Sequence, residues 1–588
     1  MAKATFPVGQ VRQRASRLPY RRYAPAPAVD LADRSWPAKR ITTAPRWLST
    51  DLRDGNQALP HPMDVDRKAR LFRLLVAMGY KEIEIGFPAA SRTEFEFTRR
   101  IIENGEIPDD VLIQAIVPAR EELIRRTFDA LAGAPQAIVH LYNSTSPTQR
   151  RVVFRADRGG VLRLAVDHAR LCRELADAHP GRIGFEYSPE SFSQTELDFA
   201  LDVCAQVTDV WDPADDREII INLPATVECA GPHVFADQVE WMSRNLPRRE
   251  HVCLSLHPHN DRGTGVAAAE LGLLAGGQRI EGCLFGNGER TGNVCLVVLG
   301  LNLMSQGVDP QIDLSDIDAV RHEVEQCTGM RVPERYPYAG DLVHTSFSGS
   351  HQDAISKGLR ALSEDAADRG VALSQHRWDV PYLPIDPKDI GRSYEAIIRL
   401  NSQSGKGGVE YLLRSCHGLN LPRSLQIEVS GLSQAVSDDE GREVTAEELW
   451  SVFRAEFLPA ALDVQLVSCE LSAGAPGPGA VKVELAVCGG PLVVGGDAGH
   501  GLLPSIARAL AQSGPAPVVL DHAEQPFTLD EERGTLAYVR CRVDGRAVWG
   551  CGFDPDPTSA SLRGLCVALH RAGWRPSAVL PSAQPSQG

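Results

Sequence analysis

Arg53 and Asp54 stand side by side in STDLRDGNQ (49–57), directly after the apolar-aromatic pair Trp47-Leu48. A guanidinium and a carboxylate thus leave the end of one predicted strand together. Far downstream, LHPHND (256–261) carries His257 and His259, and GNGERTGN (286–293) carries Glu289 and Asn293, also at predicted strand ends. Two imidazoles with Asp and Asn oxygens suit a divalent cation of intermediate hardness, with coordination positions left open for a small oxygen-rich substrate. Such a cation, chelated by the carboxylate and ketone of a 2-oxo acid, polarises the carbonyl carbon, and Arg53 is placed to stabilise the oxyanion formed on attack. The plainer alternative is a strand-end salt bridge with two strand-capping histidines. For Asp54 alone that alternative stands; four ligand positions at the ends of adjacent strands argue for the metal.

Those positions require a scaffold that brings distant strand ends together. From residue 46 to 305, short apolar runs alternate with longer amphipathic stretches, the pattern of repeated βα units. The runs are Trp47–Thr50, Glu82–Phe87, Leu112–Val117, Ala137–Tyr142, Ile183–Tyr187, Glu218–Leu223, Val252–Leu256 and Arg279–Phe285, with helical patterns such as Arg67–Met78, Arg120–Leu131, Val161–Ala178 and Val294–Ser305 between and after them. Eight such units predict a (β/α)8 TIM barrel, whose active site lies at the C-terminal strand ends. Closure makes strands 7, 8 and 1 neighbours, and residues two apart, such as His257 and His259, share a strand face. His140 is expected to end strand 4, Ser188 and Glu190 strand 5, and Thr226 strand 6. Thr226 suits a substrate carboxylate, and Glu190 can orient water or move a proton, although each singly serves equally as a loop cap.

Neither glycine-rich segment reads as a nucleotide site. GNGERTGN lacks GxGxxG spacing, so its glycines serve either backbone approach to a phosphate or thioester, or a tight turn presenting Glu289 and Asn293. SGKGG (404–408) lacks the spacing and the Ser or Thr of a P-loop.

The net charge of −15 over 588 residues argues against nucleic acid as a partner, and 13 cysteines with no CxxC pair suit a reducing cytosol. No run of about 18 apolar residues exists, so no membrane helix is expected. The first 30 residues are rich in Arg, Pro and Ala; their composition also fits an organellar transit peptide, but an arm that is flexible or clasps a dimer is the preferred reading. Past residue 305 the alternation lapses into helical and loop-like sequence, with VPYLPIDPKDIGR (380–392) as a turn-forming stretch. Around SAGAPGPGA (472–480) strand-like alternation returns, and two similar strand-strand-helix units predict a compact C-terminal α+β domain.

Taken together, STDLRDGNQ, GFP, HLYNSTSPTQR, FEYSPESFSQTE, NLPATVE, LHPHNDRGTG, GNGERTGN, HTSFSGSHQDAISKG, VPYLPIDPKDIGR and NSQSGKGG resemble the 2-isopropylmalate synthase family in its longer actinobacterial form, within the Asp-Arg-Glu barrel metallolyase and synthase superfamily. The resemblance implies condensation of acetyl-CoA with 3-methyl-2-oxobutanoate to 2-isopropylmalate and CoA, the first committed step of leucine biosynthesis, in a cytoplasmic homodimer. It implies Asp54, His257, His259 and Asn293 as metal ligands and Arg53 as oxyanion stabiliser, with His140, Ser188, Glu190 and Thr226 contacting the oxo acid. His351 and Tyr382 correspond to residues that assist proton transfer from the partner subunit. The metal implied is Mg2+, with Mn2+ or Zn2+ as alternatives and K+ as an activator.

The same resemblance divides the chain into an arm (1–37), the barrel (38–335), linker subdomain I (336–402), helical subdomain II (403–463), a regulatory domain (464–575) and a tail (576–588). Leucine is the implied effector, with Gly499, His500 and Gly501 at its loop. That loop departs from the family's GxGNGP: GGDAGHGLLP (495–504) has His500 and Leu502 where Asn and Pro are expected, and Ala498 replaces a glycine. A side chain where backbone must approach a ligand alters or blocks that site. Rival readings are a homocitrate, citramalate or benzylmalate type synthase, a retro-aldol lyase of the same superfamily, and a non-catalytic amino-acid sensor.

Overall fold

A computed structural model of the chain describes residues 26–394, 406–440, 444–472, 480–497 and 501–577. The fold divides into two compact units, Met1–Val343 and His344–Gly588.

In the first unit eight parallel strands close into a barrel in chain order: β1 Arg46–Ser49, β2 Glu82–Gly86, β3 Leu112–Pro118, β4 Gln136–Ser144, β5 Arg182–Glu190, β6 Ile219–Ala225, β7 Val252–Pro258 and β8 Arg279–Gly282. Trp47 of β1 pairs with Ile280 of β8, which completes the ring. The surrounding helices bury apolar residues at helical spacing; Val65–Ala77 buries Leu71, Phe72 and Leu75, and Asp64 caps its first turn by accepting from Arg67 N at 2.8 Å. Ahead of the barrel, Arg34 and the Trp36 indole N–H donate to Asp237, and Ser35 N donates to Glu240, so this stretch is tied to the helix Pro232–Asn245.

The predicted strands all form, with altered ends. β4 and β5 run on together as far as Ser144 and Glu190, because the polar residues there still pair across the ladder. His140 is consequently mid-strand and does not end β4 as its sequence predicts. β8 stops at Gly282, three residues before the predicted end, since Phe285 and Gly286 take φ of 54° and 70° and leave the extended region.

The barrel interior is polar where branched apolar layers are the norm. Arg279, fully buried, donates to Glu82 (2.6 Å), Glu186 (2.9 Å), Glu281 (2.6 Å) and Gln114 Oε1 (2.8 Å). A charge at this depth is tolerable only when paired and fully hydrogen-bonded.

The second unit holds helices Gly349–Asp368, Lys406–His417, Arg423–Glu440 and Ala446–Phe457, then two antiparallel sheets. One has β9 Val464–Ser472, β10 Ala480–Val487 and β11 Gly490–Asp497; the other has β12 Val518–Leu529, β13 Glu532–Val543 and β14 Arg546–Asp554. Each sheet is followed by a helix, Leu502–Leu510 or Pro557–Ala572. The repeated unit therefore has three strands, not the two predicted. The additional β12 never becomes fully buried along its length, so it lacks the apolar alternation that reveals a strand.

Candidate active site

Thr50 N donates to Gly282 O, fastening the end of β1 to β8, and the chain then turns through a π-helical segment, Asp51–Gly55. Such segments cluster at functional sites because they re-aim consecutive side chains. Here the turn sends Arg53 and Asp54 inward. The GNGERTGN loop closes as a tight turn. Gly292, at φ 95°, lies so close to Gly286 O that a Cβ would overlap it, and the closure places Asn293 N on Gly286 O at 3.1 Å.

The predicted ligands converge. Asp54 Oδ2 lies 3.3 Å from His257 Nε2 and 3.5 Å from His259 Nε2, and Asn293 Oδ1 is 2.8 Å from His257 Nε2. The two imidazoles stack with ring centroids 5.3 Å apart, as expected for residues on one strand face. Asp54, His257 and His259 form a buried group able to hold a metal ion. Nitrogen and oxygen donors meeting at one point fit a divalent cation.

Around these ligands runs a closed circuit of side chains, all buried except the partly exposed Arg53. Arg53 Nη1 is 3.0 Å from Asp54 Oδ1, and its Nε donates to Glu84 Oε2 at 2.5 Å. Glu84 Oε1 is 2.8 Å from His140 Nδ1, and His140 Nε2 is 2.7 Å from Ser188 Oγ. Asn222 Nδ2 donates to Ser188 Oγ (2.9 Å) and Glu281 Oε2 (3.3 Å), and Glu281 Oε2 meets His257 Nδ1 at 2.8 Å. His257 returns the circuit to Asp54.

A cavity of about 280 Å³ opens above it, bordered by Arg53, Asp54, His140, Ser188, Glu190 and Thr226 as well as His257 and His259. Thr226 Oγ1 accepts from Ser191 N, and Ser144 Oγ donates to Glu190. Asn293, 1% exposed, lies against His257 and does not line the cavity. Every barrel residue singled out from the sequence is thus in one place.

Glu84, Asn222 and Glu281 were not anticipated. Glu84 and Glu281 alternate with apolar residues in EIEIG and RIEG, which sets them on the opposite strand face from their apolar neighbours; Asn222 had no comparable signal. His351 and Tyr382 lie in the second unit, where their rings stack at 4.0 Å. Gly499 and His500 lie outside the described residues; Gly501, at φ 88°, precedes the helix Leu502–Leu510.

Electrostatics divide the ligands. Burial pushes the Asp54 carboxyl up, but Arg53 and both histidines outweigh it and hold the group well below the usual carboxylate range. Burial lowers His257, yet its bonds to Asp54 and Glu281 raise it to about 9. His259 is pushed down to about 4 by burial and by the His257 charge. In the metal-free protein at neutral pH only His257 therefore carries a proton that a cation must displace. Apparent metal affinity should rise about tenfold per pH unit from neutrality and level off once His257 is deprotonated, with close to one proton released per ion. Calorimetry in buffers of different ionisation enthalpy measures both quantities; a pH-independent affinity would contradict this electrostatic assignment.

Residues 44–324 match the HMGL-like family, residues 341–414 the alpha-isopropylmalate synthase post-catalytic domain, and residues 443–572 the LeuA allosteric (dimerisation) domain. A 2-isopropylmalate synthase of Clavibacter sepedonicus is 53% identical over 573 residues, covering 95% of this chain and 97% of the relative. One from Thermobifida fusca is 54% identical over 564 residues, covering 95% and 99%. The chain belongs to the 2-isopropylmalate synthase family. As in that family, an enzymatic barrel precedes an allosteric domain, and the candidate metal group lies within the HMGL-like match. Among the described residues no helix is long and apolar enough to cross a membrane. Among the described residues the cysteines form no disulfide, and most of them are buried.

Proposed function

We propose that the barrel condenses acetyl-CoA with 3-methyl-2-oxobutanoate and that hydrolysis of the thioester releases 2-isopropylmalate and CoA, as the first committed step of leucine synthesis in the cytosol. The observation that carries this reading is the convergence of Asp54, His257 and His259 beside Arg53 on one cavity, with Asn293 against His257. Held by those ligands, Mg2+, or Mn2+ or Zn2+ in its place, would supply Lewis-acid polarisation of the oxo group.

The remaining steps fall to side chains. Arg53 borders the cavity while pinned by Glu84 and Asp54, so its position is fixed before charge develops on the substrate oxygen. His140 and Ser188 are fixed by Glu84 and Asn222 and present polar groups to the oxo acid; Thr226 offers its hydroxyl to the carboxylate. Glu190 faces the same space and is assigned to orienting water or moving a proton.

His351 and Tyr382 are assigned to proton transfer at the acetyl methyl, supplied across a homodimer. Stacking restrains the pair while Tyr382 remains 61% exposed, which suits a group that completes a site formed elsewhere. When Asp54→Ala and His351→Ala chains are mixed and allowed to exchange, each heterodimer should contain one complete site, restoring about a quarter of wild-type activity. No recovery in a proven heterodimer would place His351 in its own chain's site or outside catalysis.

CoA release by the purified, metal-replete protein with acetyl-CoA and a panel of 2-oxo acids, with and without leucine, tests the whole reading. Turnover of 3-methyl-2-oxobutanoate in preference to the panel supports it. Selective turnover of a longer or shorter oxo acid would give a sister synthase, since one methylene alters binding by only about 1–3 kcal/mol.

A further inference from the structure

Glu281 touches a metal ligand but does not border the cavity. It is fully buried on β8, and both of its oxygens are engaged. Oε2 meets His257 Nδ1 at 2.8 Å, while Oε1 accepts from Ser255 Oγ (2.8 Å) and Arg279 Nη1 (2.6 Å). Arg279 is itself immobilised by Glu82, Glu186 and Gln114. His257 is therefore held from behind by a carboxylate whose own rotamer is set by a buried arginine. His259 has no such support: its Nδ1 is buried without a hydrogen-bond partner among the described residues.

We propose that Glu281 is a positioning residue for the metal centre: its carboxylate fixes His257 in the orientation and tautomer that present Nε2 to the cation, with Arg279 as its anchor. This rests on the metal-site reading above. An ionised carboxylate only accepts hydrogen bonds, so the imidazole proton is drawn to Nδ1 and the Nε2 lone pair is left for the ion. Partners of this kind behind a ligating histidine typically govern metal affinity by about 10–100-fold. The two histidines are then unequal ligands, one rigidly aimed and one held only by its backbone and packing.

Mn2+ binding to the full-length, metal-stripped protein, followed by calorimetry and by the electron paramagnetic resonance spectrum, tests this directly. Glu281→Gln should weaken Mn2+ binding about 10–100-fold and change the zero-field splitting of the bound ion. Glu281→Asp, which keeps a counter-charge for Arg279 but is one methylene too short for Nδ1, should act in the same direction should the glutamine protein not fold. Glu186→Gln is the control, because Glu186 shares Arg279 but does not touch His257, and burial with the Glu281 charge pushes its carboxyl well up. It should bind Mn2+ within roughly threefold of wild type and with an unchanged spectrum, well inside the range expected of a true partner. Glu281 variants that bind like wild type, or a Glu186→Gln protein weakened equally, would overturn the proposal. If the wild type binds no Mn2+, or Asp54→Ala binds it as tightly as wild type, the metal-site reading fails first and takes this inference with it.

Discussion

The Asp54→Ala protein is expected to remain folded, to lose high-affinity divalent metal binding, and to lose at least about 10³-fold in kcat/KM, several kcal/mol of transition-state stabilisation being the usual contribution of a Lewis acid to such chemistry. Folding should survive because Arg53 keeps Glu84 as a counter-ion, so the substitution strands no buried cation. Metal binding should not survive. Asp54 is the sole carboxylate among the proposed ligands, and its Oδ2 is the point on which both Nε2 atoms converge. His257 also loses one of the two carboxylate partners that raise it, and its affinity for a proton should fall toward the ordinary value. Calorimetric titration with Mg2+ and Mn2+, a thermal melt and steady-state kinetics separate these effects. Asp54→Asn, which keeps the shape and removes the charge, should fall between the two. Retention of full activity, or complementation of a leucine auxotroph by Asp54→Ala at wild-type efficiency, would move the function out of the barrel and revive a non-catalytic sensor.

The barrel was legible because short strands, most of them rich in apolar residues, alternate with longer helical stretches, and the metal ligands were legible because closure makes β7, β8 and β1 neighbours. What escaped notice was the interior. Glu82, Glu84 and Glu281 are charged residues alternating with apolar ones, and all are buried. Period-2 alternation tells that two faces differ and does not tell which is wet. In a barrel closed around Arg279 the acidic face points inward, where long-range ion pairs invisible in linear sequence make it tolerable. The mid-strand place of His140 escaped for a related reason. Asn143 and Ser144 look like loop residues, but their backbones pair with Pro189 and Glu190 and extend the strand past its apolar run. In the C-terminal domain the missed β12 is a strand with no fully buried residue, and pairing of its backbone with β13 holds it in the sheet.

Arg53→Lys is the sharper test of mechanism, because it keeps the charge and removes the fork. Arg53 spends Nε on Glu84 and Nη1 on Asp54 and borders the cavity with donors remaining. A lysine ammonium is a point charge on a flexible stem and cannot hold both carboxylates while facing a third oxygen in a fixed direction. Yet it still neutralises Glu84, whose carboxyl Arg53 and His140 hold down at about 2 against the effect of burial, so the protein should fold. A neutral replacement would instead leave that carboxylate buried and underpaired, at a cost of about 3–5 kcal/mol, and confuse stability with catalysis. Since an oxyanion exists only beyond the ground state, kcat should fall about 10²–10³-fold while KM for the oxo acid changes little. Metal affinity should move far less than in Asp54→Ala, because every proposed ligand is retained. A rise in KM with kcat unchanged would recast Arg53 as a substrate-carboxylate clamp. An equal loss of metal binding in the two variants would show that its role is to hold Asp54, with the oxyanion stabilised by another group.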